Sequence, residues 1–404
     1  MDGMDGAFDR VWASLSDVGR SAGSGGYRRF TWTAPDDELR AWFADSAEQR
    51  GMAYELDGNG NQWAWWGEPG AGAVVTGSHL DSVPDGGAYD GPLGIVSAFL
   101  AIDEMRGRGV QPGRPIAVLN CAEEEGARFG LACVGSRLLT GALDPDRARR
   151  LRDADGLTLA DAMRQAGADP AAMGRDDEVL GRIGIFVELH VEQGRALELL
   201  DAPVGVATAI WPHGRWRLSF AGEANHAGTT RLADRRDPML PFAATVAAAR
   251  RIATQAGAVA TFGRVSVRPN ATNAVASAVH AWLDTRGPTD ATVARVVREI
   301  TAEAERAAAA HRVVVQVGAE SYSPQVTFSA EVRNRIVALL GDVPTLPTAA
   351  GHDAGVLSAR VPSAMLFVRN PTGVSHSPAE YARPADCVAG VRALSAVLTD
   401  LARR

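Results

Sequence analysis

Three stretches of the chain share one grammar. Ala73 to Gly77, Ile116 to Leu119 and Ile183 to Glu188 are short apolar runs, and each gives way at once to a polar cluster: GSHLD, CAEEE and ELHVEQG. Runs of that length bounded by turn residues read as strands, and helical stretches such as Gly94 to Arg106 lie between them. Strands alternating with helices specify an α/β domain with a largely parallel sheet. Ligands of such sheets gather beyond the carboxyl ends of the strands, where all three polar clusters are expected.

The second cluster sets a physical problem, because CAEEEGARF places Glu123, Glu124 and Glu125 side by side after a buried run. Adjacent carboxylates raise one another's pKa and are costly to desolvate unless positive charge is near. A solvated loop or the first turn of a helix would also accommodate them, and Glu123 has no role assigned beyond the option of a solvated neighbour.

From about Trp211 the texture changes. Alternating strands, WRLSF and then VHAWLDTR, surround an Ala-rich helix from Pro241 to Thr254 and a second near Val293 to Ala310. Residues 212–324 therefore read as a smaller α+β insertion, which leaves 1–211 and 325–404 as the two parts of the first domain. The Ser363 to Val368 run returns to that domain and closes on GVSHSP. A chain of 404 residues exceeds one ordinary hydrophobic core, so two domains are expected.

Composition narrows the function. A net charge of -7, with 22% charged residues and no long basic run, argues against nucleic-acid or anionic-membrane partners. The chain has no lysine, which excludes Schiff-base chemistry, lysine-anchored pyridoxal phosphate and a phosphate loop. Its three cysteines, Cys121, Cys133 and Cys387, have no CxxC spacing, so neither a disulfide framework nor a thiolate zinc site is expected, and a reducing cytoplasm fits. The opening residues carry Phe8, Val11, Trp12, Leu15 and Val18 at helical spacing among acidic groups, a surface helix in preference to a signal peptide. No apolar run is long enough for a membrane span.

The strand ends offer His79, Asp90, Glu124, Glu125, His190 and His376, imidazoles and carboxylates with no thiolate among them. Such nitrogen and oxygen donors suit zinc, manganese or nickel. Asp81, two residues after His79, is placed to accept the imidazole's other N–H. Asp90 lies in a glycine-rich turn where its carboxylate could bridge two cations.

The ordered motifs GSHLDSVPDGGAYDG, EEEGARF, ELHVEQG, GEANHAGTT, RPNATN with LDTR, AGHDA and GVSHSPAE span roughly residues 77–380. In these the chain resembles the dinuclear-metal aminoacylase and carboxypeptidase superfamily, in the branch of N-carbamoyl-L-amino acid hydrolases, allantoate amidohydrolases and β-ureidopropionases. The resemblance implies a mostly parallel-sheet metallohydrolase domain with an inserted lid and dimerisation domain. It also implies two divalent metal ions per subunit (zinc, manganese, nickel or cobalt), one held by His79, Asp90 and His190 and the other by Asp90, Glu125 and His376. Glu124 is then the general base, supported by Asp81. His226 is implied to reach the active site of a partner subunit in a homodimer, Asn273 and Arg286 to clamp a substrate carboxylate, and Gln193 to contact the ureido group. The expected reaction is hydrolysis of a linear ureido or amide C–N bond beside a carboxylate, with allantoate, and so purine catabolism, first and N-carbamoyl-L-amino acids close behind. An aminoacylase or amide hydrolase of a specialised pathway is the second reading, and a non-catalytic binding protein of the same fold the third. The cluster Trp63, Trp65 and Trp66 reads as packing or interface in preference to a pocket wall.

Overall fold

The structure is a computed structural model that describes residues 3–341 and 343–403. It divides into two compact units: one takes the chain up to Thr208 and again from Thr327, the other is Ala209–Val326.

The larger unit is built on a mixed sheet whose centre is parallel. Strands Ile116–Cys121, Ala73–His79, Ile183–Val191 and Ser363–Val368 lie side by side in that order, all parallel. Antiparallel strands Gln62–Trp66 and Ala53–Leu56 extend one edge, and Val204–Ile210 extends the other. Every residue of Ala73–His79, Ile116–Cys121 and Ser363–Val368 is buried, as expected of parallel strands covered on both faces. Helices Met4–Ala13, Ala34–Gln49, Pro92–Gly107 and Pro384–Leu401 share one core with Val74, Ile116, Val118, Leu189 and Leu366. A second cluster, around Val134, Leu138, Leu159 and Met163, lies in the segment before Ile183–Val191. Pro92–Gly107 is apolar nearly all round and buried for most of its length, the signature of a core helix. Gly94 lets it approach the sheet, since a Cβ there would sit 2.3 Å from the Leu189 carbonyl oxygen.

The expected elements are present, somewhat longer than the apolar runs alone suggest. The opening helix is Met4–Ala13, so of the anticipated apolar stripe Leu15 and Val18 are buried beyond the helix, in turns. The tryptophans pack: Trp63 and Trp65 are buried and stacked with ring centroids 5.9 Å apart. Their indole N–H groups donate to Asp57 and Glu55, and the ring of Trp66 lies under the Arg106 guanidinium.

The smaller unit is a four-stranded antiparallel sheet in the order Val314–Ser323, His213–Ala221, Ala278–Arg286, Val259–Arg268. Helices Met239–Ala256 and Asp290–Ala310 cover one face and close a core of Leu218, Phe220, Val279, Leu283, Val296 and Ile300. Ala278–Arg286 alternates strictly: Val279, Ala281, Leu283 and Thr285 are buried, whereas Ala278, His280, Trp282, Asp284 and Arg286 are half-buried on the opposite face. No helix among the described residues is long and apolar enough to cross a membrane.

Candidate metal centre and active site

Four strand ends converge in the larger unit. His79 ends one strand, His190 lies one residue before the end of its neighbour, the three glutamates follow Cys121, and His376 follows the Ser363–Val368 strand. Asp90 enters through the turn before helix Pro92–Gly107. That turn requires Gly91, whose φ is +89° and whose Cβ, if it had one, would lie 2.5 Å from the His79 ring.

Asp90 divides its two oxygens. Oδ1 lies 3.1 Å from His190 Nε2 and 3.8 Å from His79 Nε2, while Oδ2 lies 3.3 Å from His376 Nε2. His376 Nε2 is in turn 3.6 Å from Glu125 Oε2. Donor atoms of His79, Asp90 and His190 lie within 4.8 Å of one another, and so do those of Asp90, Glu125 and His376. Both sets suit divalent cations on the chemistry of their donors, which are imidazole nitrogens and carboxylate oxygens without thiolate. Glu125 Oε1 is moreover buried with no hydrogen-bond partner, a costly condition unless a cation satisfies it, while His190 Nε2 has the shared Asp90 carboxylate before it.

The electrostatics answer the problem of the clustered carboxylates. Burial, reinforced by the neighbouring carboxylates, pushes Glu124 and Glu125 well above the usual carboxylate range. Burial opposes charge on His79 and His190, yet the surrounding carboxylates overcome it and raise both imidazoles. Asp90 is also opposed by burial, and the three imidazoles hold it low. The cluster thus draws positive charge to itself, which is what bound cations provide.

Asp81 ties the arrangement together. Its Oδ1 lies 3.4 Å from His79 Nδ1, its carbonyl oxygen 3.1 Å from the same atom, and its two carboxylate oxygens accept the backbone N–H groups of Glu124 and Glu125. Glu124 Oε2 lies 3.8 Å from His79 Nε2, and Glu124 Oε1 accepts a hydrogen bond from the Cys133 thiol at 3.3 Å. Gln193 donates to Asp90 Oδ2 at 2.9 Å and lies 3.2 Å from His376 Nε2.

Glu123 is a correction. It is not solvated but 1% exposed, because the loop from Ala122 to Cys133 folds back over it. Its Oε1 accepts the Phe129 N–H at 3.0 Å, and burial pushes its carboxyl up to about 8.

Several further groups were not anticipated individually, although their motifs were. Within GVSHSPAE, Glu380 accepts the N–H groups of Tyr89 and Asp90 and a hydrogen bond from Ser375, and so fixes the Asp90 turn. Within AGHDA, His352 packs edge-on against His190 with centroids 4.5 Å apart, and Asp353 accepts from Ser136. Glu188 of ELHVEQG lies beneath, accepting from Ser78 and from the Ala354 N–H.

The remaining expected residues belong to the smaller unit. His226 and Asn273 are both exposed, His226 on a short strand and Asn273 in the turn just before the strand that pairs with it: Ala274 pairs with His226, and the Ala227 N–H donates to the Asn273 carbonyl. The N–H groups of Gly228 and Thr229 both donate to His226 Nδ1 at 3.1 Å. A neutral ring held in that way carries its proton on Nε2. Arg286 points from the face opposite the helices, with Asp284 2.9 Å from its Nε.

Comparison with known proteins identifies the family. The model of peptidase family M20/M25/M40 matches residues 75–400. The chain is 35% identical to an N-carbamoyl-L-amino acid amidohydrolase of Geobacillus stearothermophilus, covering 98% of each chain. It is 32% identical to an allantoate amidohydrolase of Escherichia coli, again over 98% of each. A crystal structure of an amidase of the hydantoinase/carbamoylase family from Burkholderia multivorans superposes with a TM-score of 0.88 at 28% identity, over 98% of both chains. The chain belongs to peptidase family M20/M25/M40, in its branch of N-carbamoyl-L-amino acid and allantoate amidohydrolases.

Proposed function

We propose that the substrate is a small carboxylated ureide, allantoate first and an N-carbamoyl-L-amino acid second. The protein is a hydrolase of ureido or amide C–N bonds, as its family and its amidohydrolase relatives imply. His79, Asp90 and His190 would hold one divalent cation and Asp90, Glu125 and His376 a second. Such ions polarise a scissile carbonyl and lower the pKa of a water when bound.

Glu124 does the proton work. Its carboxylate takes a proton from the attacking water as the oxygen–carbon bond forms, then delivers it to the departing nitrogen as the C–N bond breaks. Asp81 holds the backbone of Glu124 and the ring of His79 in register, so the base does not wander from the reacting carbon. His226, with its proton on Nε2, donates to the substrate carbonyl of a partner subunit as negative charge develops on oxygen. Arg286 and Asn273 grip the substrate carboxylate, for which a planar guanidinium is the fitting group, and Gln193 contacts the ureido group from beside Asp90. A homodimer is part of this reading, as is a cytoplasmic location, which the three free, buried cysteines suit.

What supports the reading most is the single Asp90 carboxylate shared between two donor sets with Glu124 beside them. Its test is a panel of allantoate, N-carbamoyl-L-amino acids and N-acetyl-L-amino acids, run on protein reconstituted separately with zinc, manganese, nickel and cobalt. Turnover of a ureide is expected. Turnover confined to the N-acetyl compounds would move the protein to the aminoacylases.

A further inference from the structure

The loop that carries the glutamates closes in an uncommon way. Cys133 precedes helix Val134–Thr140 in a left-handed conformation, φ 56° and ψ 40°. From there three successive N–H groups donate back to the start of the loop: Cys133 to the Glu124 carbonyl at 2.7 Å, Val134 to Glu123 at 3.0 Å and Gly135 to Ala122 at 2.9 Å. The return is possible because Gly126, at φ +63°, has no Cβ to meet the Leu131–Ala132 backbone at about 2.5 Å. Left-handed backbone is disfavoured for a residue bearing a Cβ, yet at Cys133 it directs the side chain at Glu124. Cys133 therefore holds Glu124 twice, by its N–H at the carbonyl and by its thiol at carboxylate Oε1, 3.3 Å away. Among the described residues the thiol is the one hydrogen-bond donor to that carboxylate.

We propose that Cys133 is a positioning residue for Glu124, its S–H fixing the carboxylate orientation that meets the attacking water; this rests on Glu124 being the general base. The thiol is 3% exposed as a residue, and burial, with Glu124 beside it, pushes it well above the ordinary thiol range. A buried thiol so placed keeps its proton and serves as a donor. An S–H is a weak donor, so it orients the carboxylate while leaving Oε2 directed toward His79.

The test uses full-length, metal-loaded protein and the variants Cys133→Ala, Cys133→Ser, Glu124→Gln and Glu124→Gln with Cys133→Ala. Cys133→Ala is expected to lower kcat about tenfold and leave KM within about twofold, since a misdirected base slows chemistry without weakening binding. Metal content and Tm should stay at wild-type values, and Cys133→Ser should recover most of the loss because its hydroxyl can donate from the same place. In the Glu124→Gln background, removal of the thiol should cost nothing further. Infrared difference spectra supply a readout that needs no substrate: the S–H band lost in Cys133→Ala should shift in Glu124→Gln. A band that does not move overturns the proposal. So does a Cys133→Ala enzyme with wild-type kcat while Glu124→Gln is inactive, or a kcat loss matched by lost metal or lowered Tm. Full activity in Glu124→Gln would instead remove the general-base reading itself.

Discussion

The two units keep most of their candidate residues under different conditions, His376 of the larger unit being exposed and Glu125 and Gln193 half-buried. In the larger unit His79, Asp81, Asp90, Glu124 and His190 are all buried, and each is held by a neighbour from another strand or loop. In the smaller unit His226 and Asn273 are exposed and Arg286 is half-buried. Burial suits groups that must remain at short distances from one another despite like charge, because only a rigid frame maintains such crowding. Exposure suits groups that grip a substrate which arrives and leaves. On the proposed reading the larger unit holds the reaction centre and the smaller the recognition surface.

The comparison breaks most severely at Asp90. Asp90→Asn should abolish turnover and remove both cations, because one carboxylate serves both donor sets. Elemental analysis of the purified variant checks this, and a chelator should reproduce the loss in the wild type. Unchanged metal content in Asp90→Asn, or full activity after chelation, would mean that the buried cluster is not the reaction centre.

Next comes the separation of base from ligand. Glu124→Gln should keep the metals and lose roughly 10²- to 10⁴-fold in kcat, the usual contribution of a positioned base. Glu125→Gln should weaken one metal site and recover at high metal concentration. Swapped phenotypes, read by metal titration beside kinetics, would reverse the two assignments.

A smaller effect is expected at the recognition surface. Arg286→Lys should reduce kcat/KM for a carboxylated ureide by about a hundredfold, since a point charge does not reproduce the guanidinium fork and misplacement by about 1 Å has that order of cost. The matching carboxamide should be a poor substrate for both enzymes. Equal kcat/KM for acid and carboxamide in the wild type would remove the carboxylate clamp.

The same contrast explains what was legible before the structure. Parallel strands deliver whatever follows them to one end of the sheet, so the residues after Ala73–His79, Ile116–Cys121 and Ser363–Val368 could be grouped from their apolar runs alone. The neighbourhood of His79, Asp90, Glu125, His190 and His376 follows from that rule together with the ordered motifs. Glu123 did not follow, because its burial depends on a loop that folds back through Gly126 and Cys133. The thiol of Cys133 was invisible for a related reason: spacing in a loop says nothing of side-chain direction when one residue takes a left-handed conformation. His352 lay in a recognised motif, but its contact with the His190 ring arises from tertiary packing. Trp63 and Trp65 reduce to packing and hydrogen bonding, since buried indoles require acceptors and Asp57 and Glu55 provide them.

The smallest predicted signal asks whether the exposed surface of one chain serves the buried centre of another. His226→Ala protein retains Glu124, and Glu124→Gln protein retains His226; each alone should be nearly inactive. If subunits exchange at random in an equal mixture, about half of the dimers are mixed. In a mixed dimer the site on the His226→Ala chain has its own Glu124 and the partner's intact histidine, whereas the other site lacks both groups. One site in two is then complete in half of the dimers, so about one quarter of the wild-type specific activity should return. Subunit exchange is followed independently with two affinity tags, and activity is measured before and after mixing. Exchange without any recovery would show that each chain completes its own site, and the exposed histidine would then have to act within the chain that carries it.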